Sequence, residues 1–140
     1  MEDKKKIGHH MKLHKSFGLC IIFMIVPRIL LRRGARLPAP VVGPAWEQFL
    51  GKVGHYSLYG VMGTMSVTGL GMGIFSGNGI PFFGFGQMFK GWAKVPAIAK
   101  QSVKLHRQVG WTLPYFMALH VGGYWKHLLV DGKNIIWRIL

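Results

Sequence analysis

The chain has 140 residues, half of them apolar and only 16% charged, where a soluble domain of this size carries about a quarter charged. Its net charge is +14, from 18 Lys and Arg against four acidic residues, which by itself suits nucleic acid or an anionic surface. The placement of those charges argues against nucleic acid: they flank long apolar blocks, where bilayer head groups attract Lys and Arg. The expectation is one domain, an all-α membrane helical bundle with lipid as its surroundings and no nucleic-acid partner.

Residues 1–13, "MEDKKKIGHHMKL", read as a basic N-terminal tail. They lack the small-residue cleavage site of a signal peptide. A first span is expected over about 14–31, "HKSFGLCIIFMIVPRILL". Its strongly apolar part is short for a bilayer, and including His14 to Ser16 makes it adequate. Pro27 lies inside it, which membrane helices tolerate where neighbours satisfy the freed carbonyl. Cys20 is the lone cysteine, so an internal disulfide is ruled out, and a small buried hydrophobe is its expected role.

The next stretch, "RRGARLPAPVVGPAW", is too rich in proline to stay helical and is expected to cross the surface extended. A second span is expected over about 49–75. Its centre, "YGVMGTMSVTGLGMGIF", is rich in Gly, Ser and Thr, and small residues in a membrane helix let another backbone or a flat cofactor come close. The linker "SGNGIPFFGFGQMFKGWAKVPAIAKQS" mixes Gly and Pro with Phe and Trp, which suits a segment lying in the interface. It does not join a strand to a helix, so its glycines are a weak phosphate signal. A third span is expected over about 103–130, with Pro114 inside it. "DGKNIIWRIL" closes the chain as a short interfacial helix.

Seven histidines stand out, because ionisable groups inside a span are costly and are functional candidates by default. His106 and His120 are fourteen residues apart. That spacing is four turns less about 40°, so both lie on one face, about 21 Å apart along the axis. Two imidazoles stacked in this way suit two haems, one above the other, since haem iron accepts an imidazole nitrogen. The first and third spans run in the same direction, so His14 is placed to face His106. The second span runs the other way, and His55, early in it, is the spanning-helix histidine positioned to face His120. Arg28, fourteen residues after His14, lies level with His120 and suits a haem propionate. The bland alternatives are a histidine bonded to a neighbouring carbonyl, an interfacial His14, and His55 as a propionate partner. His9 and His10 read as tail residues and His127 as interfacial. No His, Cys and carboxylate set has the spacing of a zinc site.

These residues resemble a known family. "HKSFGLCIIFMIVPRILLR", with His14 and Arg28, is similar to the second helix of bacterial-type cytochrome b561, a di-haem membrane electron carrier. "GHYSLYGVMGTMSVTGLGM" resembles its third helix, and "LHRQVGWTLPYFMALHVGGYWKHLLVDGKNIIWRIL" its fourth helix and tail. The resemblance covers 14–140, a cytochrome b561-like membrane domain lacking the family's first helix. It implies haem b held by His14 and His106 as iron ligands. The helix that would supply the partner of His120 has no counterpart, so a second haem is absent, held by His120 and His55, or completed by another subunit.

The resemblance thus implies a b-type cytochrome that transfers single electrons, an electron-transfer subunit rather than a stand-alone enzyme. Its expected partners are other subunits of a membrane complex and a quinone or another redox partner. The "GIPFFGFGQMF" linker is the expected contact, unless it is only an interfacial anchor. The rival expectation is a structural or accessory subunit of an organellar respiratory or photosynthetic complex, with haem retained or lost. The compartments considered are an organellar inner membrane, mitochondrial or thylakoid, and a bacterial inner membrane.

Overall fold

The structure, a computed structural model, describes residues 2–34 and 41–136. Helix α1 runs Glu2–Gly34 and α2 Ala45–Phe75. A short antiparallel hairpin comes next, β1 Ile80–Pro81 and β2 Gln87–Met88, with Ile80 opposite Met88. Helices α3, Pro96–Gly110, and α4, Leu113–Leu129, complete the chain. Both α1 and α2 are long and apolar enough to cross a membrane.

Three boundaries differ from expectation. The basic residues before 14 continue α1 instead of forming a separate tail, because they include good helix formers and no proline. Charge marks where a helix leaves lipid, not where it stops. The third span starts earlier, at Pro96, a residue well suited to a first helical turn. It is also broken in two at Trp111 and Thr112. Pro114 has no N–H to return to the Gly110 carbonyl. The turn tightens there instead, with the Thr112 N–H and hydroxyl both donating to the Val109 carbonyl, at 2.9 and 2.7 Å. Trp111 and Thr112 keep right-handed helical angles, so the span is kinked, not ended. The interfacial linker holds the hairpin. Residues 131–135 are irregular where a terminal helix was expected. The middle of the expected Pro-rich crossing, 35–40, and the tail 137–140 lie outside the described residues.

Helix α2 is central, packed along α3 and α4, while α1 touches α2 and the hairpin. The packing has one antiparallel register throughout. Met65 meets Gly110, Thr68 and Gly69 meet His106, and Gly71 meets Ser102. Beyond the kink, His55 meets His120 and Glu47 meets Lys126. Small residues make this approach close: a methyl group at Gly71 would sit 2.7 Å from the Ser102 hydroxyl. At Gly73 a methyl group would collide with Ile80, the buried hairpin residue.

The hairpin is fastened to α1. Ser16, almost fully buried, accepts the Phe83 N–H at 3.0 Å. Its hydroxyl lies 2.9 Å from the Lys12 carbonyl and 3.1 Å from that of Pro81. Phe17 and Phe83 meet edge to face, with centroids 5.1 Å apart. Phe83 has φ 40°, a costly backbone for a bulky residue, and the Ser16 bond is one of the contacts that hold it. Gly79, at φ 75°, lets the Met88 carbonyl pass where a side chain would not fit.

Among the described residues little apolar side chain is buried: Leu19, Leu58 and Ile80 form the core. Phe17, Phe23, Met24, Leu30 and Leu31 of α1 are each more than half exposed. Water would penalise that surface at about 25 cal/mol per Å², whereas lipid does not. Among the described residues the buried polar side chains, Ser16 and Thr68, are both hydrogen-bonded.

Candidate functional site

Two pairs of imidazoles face each other across helix boundaries. At the hairpin end, His14 of α1 meets His106 of α3 with ring centroids 6.1 Å apart and planes at 81°. At the other end, His55 of α2 meets His120 of α4 with centroids 5.2 Å apart and planes at 68°. Both juxtapositions expected from the sequence are therefore present. Arg28 belongs to neither ring pair and is exposed on the second half of α1.

His106 is held from α2. The Thr68 hydroxyl lies 2.9 Å from its Nδ1. Gly69 packs against the ring: a methyl group there would meet His106 Cε1 at 3.5 Å, an ordinary contact. Around the second pair, by contrast, methyl groups at Gly51, Gly54, Gly122 and Gly123 would meet nothing within 4 Å.

The sequence was matched over residues 2–140 by the model of the family described as prokaryotic cytochrome b561. The chain belongs to that family. Cytochrome b561 homolog 2 of Escherichia coli (strain K12) is 25% identical over 132 residues, covering 92% of this chain and 69% of the relative. No solved structure matches. Family membership makes this an integral membrane protein of a b-type cytochrome family concerned with electron transfer, and the family binds haem b.

The residues fit that group. Among the described residues no three His, Cys, Asp or Glu side chains come together to hold a metal ion, whereas haem iron asks the protein for two axial ligands. A metal–imidazole bond is about 2 Å, and a ring centre lies about 1 Å behind its nitrogen, so two axial imidazoles need centroids about 6 Å apart. The His14–His106 separation meets that requirement. The His55–His120 pair is closer by about 1 Å and would have to widen.

One feature near the cytochrome's second pair was not legible as a site. Lys126 of α4 pairs with Glu47 at the start of α2, at 2.7 Å, and with Asp131 at 2.9 Å. His127 Nδ1 lies 2.7 Å from the same Asp131 oxygen. Lys133 donates to the Val42 carbonyl at 2.7 Å. Donation from Lys126, and then from His127, holds the Asp131 carboxyl below the usual carboxylate range. This clasp ties the start of α2 to the end of α4. The only sequence signal for it was that two of just four acidic residues, Glu47 and Asp131, lie at opposite termini of those segments.

Proposed function

We propose that the chain holds one haem b between His14 and His106, its two axial ligands, and moves single electrons within the membrane. The observation that carries this reading is the 6.1 Å separation of the two rings, which matches what two axial imidazoles require. Haem b, when bound, supplies a one-electron ferric–ferrous couple at iron. The protein's own contribution is to present two imidazoles from different helices and to fix one of them through Thr68.

A second haem between His55 and His120 is the finer part of the proposal. Their facing rings support it, and a separation wider by about 1 Å is its requirement. Arg28 remains the candidate for a propionate, by charge. A groove of about 390 Å³ between α1 and the hairpin, with His9, Lys12 and Gln87 beside Leu13 and Phe83, supports a redox partner such as a quinone docking near the first pair. The exposed apolar flank of α1 supports neighbouring subunits of a membrane complex, and the prokaryotic family supports a bacterial inner membrane.

A pyridine haemochrome assay on detergent-purified protein tests the reading. Wild type should contain at least one haem b per chain, and His106→Ala should contain one fewer. An unchanged haem count in His106→Ala would overturn the assignment.

A further inference from the structure

We infer that Thr68 is a positioning residue for His106: its hydroxyl fixes the tautomer and rotation of that imidazole and thereby tunes the potential of haem bound to it. The inference rests on the reading of His106 as a ligand.

A single hydrogen decides the polarity of this contact. A threonine hydroxyl has one proton to donate and two lone pairs. The Thr68 Oγ1 lies 2.6 Å from the Thr64 carbonyl one turn back, and 3.3 Å from that of Met65. The short contact claims the proton, as threonine commonly donates to the carbonyl four residues earlier in a helix. Oγ1 therefore meets His106 Nδ1, 2.9 Å away, with a lone pair. The proton in that second bond must be carried by the ring, on Nδ1. Nε2 is then left with a free electron pair, the form in which imidazole binds a metal.

The geometry is rigid as well as correctly polarised. Thr68 is buried, and its branched Cβ restricts rotation of the hydroxyl. Gly69, the next residue, packs against the same ring.

A hydrogen-bond acceptor behind a ligating imidazole raises its basicity. A more basic ligand favours ferric over ferrous iron. Removing the acceptor should shift the one-electron equilibrium toward the reduced form. A typical net hydrogen bond corresponds to roughly three- to tenfold, and tenfold is about 59 mV for one electron.

The test is a potentiometric titration of purified holoprotein with Thr68→Val and Thr68→Ser, together with low-spin electron paramagnetic resonance of the oxidised form. The 81° between the His14 and His106 planes should give wild type a highly anisotropic signal, because crossed imidazoles leave the iron dπ orbitals nearly degenerate. Thr68→Val should keep its haem count, raise the potential and change the anisotropy. Thr68→Ser, which keeps the hydroxyl, should restore both. If Thr68→Val does not fold, Thr68→Cys, matched in shape to Thr68→Ser but a poorer acceptor, should shift in the same direction while Thr68→Ser does not. Equal shifts in the hydroxyl-bearing and hydroxyl-free variants, or no shift in either, overturn the role of Thr68 and leave the ligand assignment standing. Retention of every haem in His106→Ala overturns the ligand assignment itself.

Discussion

His14 and His106 face each other at 6.1 Å, beside a buried hydroxyl and a glycine that packs against the His106 ring. His55 and His120 face each other at 5.2 Å, with open space beside their neighbouring glycines and an ionic clasp at their end of the bundle. The same antiparallel register produces both encounters. The difference lies in the surroundings that one register gives each pair. Fixing an imidazole takes a correctly polarised hydrogen-bond partner and close packing. At the hairpin end both are supplied by α2, and Ser16 closes the structure from the α1 side.

The largest effect that separates the two ends should come from the histidines themselves. His106→Ala should remove a haem with its full absorbance. His120→Ala should leave the hairpin-end haem spectrum unchanged. Haem counts on both variants check this, and loss of all haem in His120→Ala alone would reverse the order of the two pairs.

Glycine substitutions should sharpen the contrast in packing. Gly71→Ala places a methyl group 2.7 Å from Ser102 Oγ and should destabilise the fold by about 1–3 kcal/mol, the usual cost of overpacking. Gly123→Ala meets open space and should be neutral or stabilising by up to about 1 kcal/mol, from helix propensity alone. Thermal unfolding in detergent compares them.

A smaller, local effect is expected at the hairpin. Ser16→Ala leaves the Phe83 N–H without its acceptor, a loss of about 1–3 kcal/mol for a buried group. Protease accessibility of residues 81–87 should rise.

The smallest effect should appear at the clasp. The Asp131 carboxyl is held below its ordinary range, so its contribution is present above the unfolded value and is lost as pH falls through the depressed one. The clasp should therefore survive mild acid and loosen only under stronger acid. Emission from Trp46 and Trp125, which neighbour Glu47 and Lys126 in the chain, should report that transition. A transition already complete near pH 6 would assign the contact to other groups.

Much of this is readable in the sequence because it depends on periodicity. The fourteen-residue interval between His106 and His120, and the alternating direction of three spans, are sufficient to align His14 with His106 and His55 with His120. The kink is not readable in full. Pro114 signals a lost hydrogen bond, but whether the chain breaks or bends there depends on the Val109 and Thr112 groups that take up the turn. The hairpin is hidden for a different reason. "GIPFFGFG" shows turn residues without alternation, and its fold depends on Ser16, sixty-five residues from Pro81. Thr68 sits in a run of small residues that reads as a packing surface. Its meaning appears only when α2 and α3 are set in register and its hydroxyl falls on a particular ring nitrogen.

Whether His14 and His106 grip the same iron is decided by the haem count and reduced spectrum of His14→Ala beside His106→Ala. Each variant should lose that haem or hold it with the spectrum of an iron short of one imidazole. An unperturbed haem spectrum at full count in either variant would contradict a shared iron, because removing either of two rings on one metal must change that metal's ligation.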